Sequence, residues 1–186
     1  MLSGKGALRL LAGSVWLALA SAASAQQTAP TPAPSQTPNR TTTTYADWTL
    51  VCDTRSGPPS QKICEIMQVV QAQVQGKNVP FSIIVVTPPR NGQPGKFVVR
   101  VPSNATLSTN VRIQAGDADP GIAAPFARCG PPGCFADFAL SEDVLGKLRA
   151  ASGAGKVTYA DFTGHAVTVP LSFKGFDQAI DALAKE

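Results

Sequence analysis

From Tyr45 onward the hydrophobic pattern has a period of two. Across residues 47–52, Trp48, Leu50 and Cys52 fall on one face of an extended segment. In the next segment Cys64, Ile66, Val70, Ala72 and Val74 share a face, with Gln68 the polar exception. Leu107, Thr109, Val111 and Ile113 alternate with polar neighbours, and Val167, Val169, Leu171 and Phe173 alternate with Ala166, Thr168, Pro170 and Ser172. These runs predict half-buried strands. Pro170 lies inside the last one, which requires an edge position or a bulge. Residues 81–86 (Phe-Ser-Ile-Ile-Val-Val) are apolar on both faces and read as a central strand. Further strands are expected at 96–101, 122–129 and 156–162, separated by turn chemistry at 88–92, 116–117 and 130–133.

Two short helices interrupt the strands. Near 141–151, Ser141 offers an N-cap, Glu142 and Asp143 suit a first turn, and Val144, Leu145, Leu148 and Ala151 form an apolar stripe. At the C-terminus Phe176, Ala179, Ile180 and Leu183 follow the i, i+3, i+4, i+7 spacing of a helix docked on a sheet. Many short strands at near-regular spacing predict a mainly β domain, a β-sandwich with helical additions.

The first residues carry a different signal. Lys5 and Arg9 precede an apolar stretch from Leu10 to Ala20, and Ala23-Ser24-Ala25 completes the pattern of a cleaved signal peptide, residues 1–25. The apolar stretch is too short to span a bilayer, so no transmembrane segment is expected after cleavage. Residues 26–44 are rich in Pro, Ala and Thr and read as a disordered tail, leaving 45–186 as the folded domain. Cleavage removes two of the 16 basic residues and none of the 12 acidic ones, so the mature chain carries +2. No run of like charge appears, which argues against a nucleic-acid surface.

All four cysteines (Cys52, Cys64, Cys129, Cys134) lie in the exported part, and an even count there reads as two disulfides. Three pairings are open. The Gly/Pro turns inside 53–63 and 130–133 favour Cys52–Cys64 and Cys129–Cys134, worth about 3 and 2 kcal/mol in the chain-entropy model. A four-thiolate zinc site fits the spacing poorly, and no C-x-x-C motif is present.

The signal, the Tyr45-Ala46-Asp47-Trp48 start followed by Cys52, Cys64 opening a long strand, and Arg128-Cys129 with Cys134 ahead of a helix together resemble the invasion-associated locus B family of bacterial envelope proteins. The likeness runs from about Tyr45 to Leu183. It implies an immunoglobulin-like β-sandwich, export, and, in pathogenic members, a link to invasion of host cells. It transfers no catalytic residue.

The chemical inventory is thin. His165 is the only histidine and reads as a turn residue, so a multi-histidine metal site is excluded. No G-x-S-x-G elbow nominates a serine. Asp117 and Asp119 sit in a Gly/Pro loop too poor in oxygen ligands for calcium. Gly153-Ala154-Gly155-Lys156 lacks the rest of a phosphate loop. Arg90, Lys96 and Arg100 surround one expected hairpin and form a candidate partner surface. The aromatics Phe81, Phe97, Phe126, Phe135, Phe138, Phe162 and Phe173 read as core. The expectation is a non-enzymatic periplasmic or surface binding protein with no cofactor and no metal, recognising an envelope or host component. The alternatives are a chaperone or assembly factor accepting a partner strand, and an exported hydrolase with unlocated catalytic residues. Oligomeric state is not readable at this level.

Overall fold

The computed structural model describes residues 39–151 and 153–186. The expected signal peptide and residues 26–38 of the expected tail lie outside the described residues. The first strands are β1 (Asn39–Tyr45), β2 (Trp48–Arg55), β3 (Gln61–Val74), β4 (Lys77–Thr87) and β5 (Lys96–Val101). Shorter ones follow as β6 (Val111–Gln114), β7 (Ile122–Ala124), β8 (Phe126–Gly130) and β9 (Gly133–Ala139). Helix α1 (Glu142–Ala150), β10 (Ala154–Ala160), β11 (Ala166–Ser172) and α2 (Phe176–Leu183) complete the domain.

The strands form two antiparallel sheets, one ordered β1-β2-β3-β4-β5-β9-β8 and the other β11-β10-β6-β7. Their facing sides share one core, with Leu50, Ile66, Ile84, Phe97 and Val99 from the larger sheet against Val111, Ile113, Val157 and Leu171 from the smaller. This is a β-sandwich, as the alternation predicts. The apolar run at 81–86 belongs to β4, the middle strand of the larger sheet, and Pro170 sits on the edge strand β11, where a missing N–H costs no ladder bond.

Both helices form where the spacing placed them. The Ser141 hydroxyl accepts from the Val144 amide, and Leu148 is buried. Helix α2 buries Phe176, Ala179, Ile180 and Leu183 at one end of the sandwich. Phe176 meets Trp48 edge-on at 5.0 Å between ring centroids. Arg149 joins the helices through Asp177 and Asp181.

The disulfides are Cys52–Cys64 and Cys129–Cys134. Each links residues directly opposite on neighbouring strands, β2 with β3 and β8 with β9. Cys52 and Cys64 are buried beside Trp48.

Four expectations need correction. The tail does not run to residue 44, because Asn39–Tyr45 pairs with β2 in unbroken register from Asn39↔Thr54 to Tyr45↔Trp48. An edge strand needs no apolar face, and threonine has high strand propensity, so a polar Thr run serves. The strand expected from Leu107 starts only at Val111, since Thr109 turns back to the Thr106 carbonyl and Leu107 is exposed. The single strand expected at 122–129 is two, divided at Pro125 and assigned to different sheets. Phe162 and Phe135 are not core. Phe162 is 74% exposed at the tip of the β10–β11 hairpin, and Phe135 lies half-buried outside the core with the Arg128 guanidinium 4.4 Å from its ring centroid.

Candidate functional site

The larger sheet has two apolar faces, and only one of them meets the core. On its outer side, Met67 of β3 lies opposite Val85 of β4, which lies opposite Val98 of β5. One row along, Val69 faces Ile83, which faces Arg100. Met67, Ile83, Val85 and Val98 are half-buried and Val69 is exposed. Among the described residues, none of these five packs against the core. Side chains from neighbouring strands shield one another, which lowers their exposure without covering the face. A patch of this kind marks an interaction surface more often than chance.

Charge frames the strip. In the next row Glu65 of β3 pairs across the strand from Val51, and Lys96 of β5 pairs with Thr87 of β4. Glu65 and Lys96 therefore lie at one end of the apolar strip, at opposite corners of it. Burial among these aliphatic neighbours pushes the Glu65 carboxyl above its ordinary range, and nearby Asp53 adds to the effect. Lys96 Nζ lies 2.7 Å from Asp137 Oδ2 and keeps 55% of its side-chain exposure, so it is free to meet a second carboxylate.

Two of the three expected partner-surface residues, Lys96 and Arg100, share this face at four-residue spacing on β5. Arg100 is folded aside, donating to the carbonyls of Pro132 at 2.9 Å and Pro80 at 3.3 Å. Arg90 is not part of the group. It points from the 88–95 loop to the Lys62 carbonyl at 2.9 Å. Sequence reading named the basic residues but missed the aliphatic ones between them. The signal was present in β4, whose apolar residues on both faces read as a strand buried on both sides.

A second feature is the seam where β3 passes the edge of β11. A groove of about 460 Å³ opens here, lined in part by Val69, Val70, Pro170 and Leu171. The Gln68 amide closes its base. It accepts from the Ser172 N–H at 3.0 Å and donates to the Ser172 carbonyl at 3.1 Å and the Asp47 carbonyl at 3.3 Å. Trp48 Nε1 donates to the same Ser172 carbonyl at 2.8 Å. Gln68 thus does for Ser172 what a neighbouring strand residue would do. Two residues back on that edge, Pro170 has no N–H to offer. An incoming strand would find little to bond at this edge, which weighs against strand acceptance at β11.

The remaining chemical candidates are engaged in holding loops. Asp119 accepts from the Ala115 and Gly121 amides at 2.7 and 2.9 Å and from Lys147 Nζ at 2.6 Å. Desolvation pushes this carboxyl up, but the bonds from Lys147, Ala115 and Gly121 outweigh it and hold it down at about 2. Asp161 accepts from the Thr163 hydroxyl and from the Thr163 and His165 amides, and the Thr163 bond leads in holding it below the usual carboxylate range. His165 Nδ1 lies 2.9 Å from that same hydroxyl, on the exposed hairpin tip. Asp117, fully exposed, pairs with Lys156 at 3.2 Å. Residues 153–156 lead into strand β10 and not into a helix, so no phosphate loop forms. The Glu186 carboxylate lies near Cys64 Sγ, yet both sulfurs there are bonded to each other and are not thiolate ligands. No helix among the described residues is long and apolar enough to cross a membrane.

A family model described as invasion associated locus B protein matches residues 48–184, most of the chain and nearly all of the sandwich. The chain belongs to the invasion associated locus B family. Curated relatives of the chain include invasion protein B homologs from two Brucella abortus strains, 2308 and 9-941. Each is 25% identical over 143 residues, covering 75% of this chain and 77% of the relative. The fold matches the crystal structure of invasion associated protein B from Bartonella henselae with a TM-score of 0.65 at 21% identity, over 78% of this chain and 95% of that one. The relatives are named as invasion proteins and not by an enzymatic activity. The two disulfides are consistent with an extracytoplasmic location.

Proposed function

We propose that this protein is an exported, non-enzymatic binding module of the bacterial envelope, and that its recognition surface is the outer face of the larger sheet. One observation carries the reading. Met67, Val69, Ile83, Val85 and Val98 form an apolar strip outside the core, with Glu65 and Lys96 at opposite corners of one end. A fold under no demand to bind would gain solubility from polar residues at those alternate positions. The signal-peptide pattern and the two staples support export to the periplasm, and the names of the relatives support a role in invasion. Asp119, Asp161 and His165 are engaged in their own loops, which leaves a contact role as the simplest use of the remaining surface.

The test is a photo-crosslinking residue at position 98, in the middle of the outer face, compared with the same residue at position 168 on the smaller sheet. Discrete crosslinked species in envelope fractions from position 98 alone support the reading. Equal or absent crosslinking at the two positions would sink it. Intact-mass measurement of the same fractions checks export, since cleavage after Ala25 leaves Gln26 first.

A further inference from the structure

We propose that the occupant of the outer face is a second copy of this chain, docked about a two-fold axis running along β4. The inference rests on the outer face being a contact surface and goes further by naming what covers it.

The strand register makes the face self-complementary. Strands β3 and β5 flank β4 symmetrically, and the three outer rows run straight across them. One row reads Glu65, Thr87, Lys96; the next Met67, Val85, Val98; the third Val69, Ile83, Arg100. The first of these rows follows from the Ile66↔Val86 and Thr87↔Lys96 pairs, which set Glu65 beside Thr87. A two-fold axis lying between two such faces, parallel to β4, places β3 of one copy over β5 of the other without changing rows. Glu65 then meets the second copy's Lys96, and Lys96 meets its Glu65. Met67 packs on Val98, and Val85 meets its own counterpart on the axis. The pattern is self-complementary in charge and in apolar character, as an isologous interface requires. The roughly 30° rotation usual between packed sheets shifts the outer rows by about 4 Å, within the reach of a lysine side chain. Arg100, the one cation facing Val69 in this arrangement, is already turned aside to backbone carbonyls.

Size sets the expected strength. The three rows on β3, β4 and β5 cover on the order of 300 Å² per copy, and the flanking strands β2 and β9 on the same face extend this to about 500 Å², below the size of a stable interface and in the range of weak, transient ones. A reversible, concentration-dependent dimer follows, not an obligate one.

The experiment is sedimentation velocity on the chain from residue 26 over a wide concentration range, for five proteins. The wild type should shift from monomer to dimer with rising concentration. Val85→Lys sets two ammonium groups against each other on the axis and should leave only monomer. Glu65→Lys and Lys96→Glu should each weaken association about tenfold or more, because each creates two like-charge contacts per dimer. The double variant Glu65→Lys/Lys96→Glu should regain most of the lost affinity. Far-UV circular dichroism and a non-reducing gel confirm that each variant is folded and stapled; should Val85→Lys misfold, Val98→Lys takes its place.

A wild type that stays monomeric throughout overturns the proposal. If it does so while position 98 still crosslinks an envelope component, the contact face stands and only the second copy falls. A dimer indifferent to Val85→Lys places the interface elsewhere. A double variant no better than the single ones removes the axis along β4.

Discussion

Replacing Gln68 with methionine tests how the two sheets are held at their open seam. Methionine keeps the length and the apolar stem but has no polar head, so three hydrogen bonds are lost: one from the Ser172 N–H and two to the Ser172 and Asp47 carbonyls. At about 0.5–1.5 kcal/mol each, with groove water replacing part of the loss, the cost is about 2–3 kcal/mol. Trp48→Phe removes the indole N–H bond to the same Ser172 carbonyl and part of a buried ring, for about 1–2 kcal/mol. In either single variant that carbonyl keeps one of its two donors. In the double variant it keeps neither, so the combined cost should exceed the sum by about 1 kcal/mol, the penalty of leaving a half-buried acceptor with no protein donor. Against a total stability of about 5–15 kcal/mol, these effects are readily measured by urea unfolding followed by far-UV circular dichroism on all four proteins. Additivity within about 0.3 kcal/mol would refute the shared acceptor. A Gln68→Met cost below about 0.5 kcal/mol would refute the seam itself.

Three further outcomes are expected. The Asp119 carboxyl is held at about 2 in the fold, below its unfolded value, so its contribution is complete above about pH 4 and disappears as pH falls towards 2; the stability difference between wild type and Asp119→Asn should be flat above that window and shrink within it, and a difference independent of pH contradicts the assignment. Replacing Cys52 and Cys64 together by serine should cost about 3 kcal/mol and Cys129 with Cys134 about 2, by urea unfolding, and a larger loss from the shorter loop would reverse the reasoning. Gly175 opens α2 with φ +81°, and a Cβ there would collide with the Tyr45 carbonyl; Gly175→Ala should cost about 2–4 kcal/mol. In the chain from residue 26, Trp48 is the only tryptophan, so a red-shifted emission would report the loosening of α2, and unchanged emission with unchanged stability would count against it.

The alternation of Trp48, Leu50 and Cys52, and of Cys64 and Ile66, made the sandwich readable because burial on one face leaves a period-two imprint. The helix near Ser141 was readable from its cap, and the staples from the turns they span. Strand β1 was not, because its threonines carry no apolar face; backbone pairing with β2, the packed ring of Tyr45 and the Arg40–Asp53 contact hold it. Phe162 was misread because an aromatic in a strand-like run looks the same whether the strand continues or turns at Asp161. The contact face was half readable. Charges at Lys96 and Arg100 stood out, but Ile83 and Val85 looked like core, since composition does not say which of two apolar faces receives a second layer.

That duplication has a cost for folding. In most strands a slip of one residue exposes the core side chains and is rejected at once. Strand β4 offers Ile84 and Val86 inward and Ile83 and Val85 outward, so a slipped pairing would present the core with an almost equivalent set. The alignment must be fixed by something other than greasiness. Ser82, fully buried and donating to the Arg100 carbonyl at 2.7 Å, supplies it. Moved by one place, that hydroxyl would leave its acceptor and a branched aliphatic would stand where only a small polar group fits. A single serine therefore acts as the index mark that tells the chain which way round its central strand belongs.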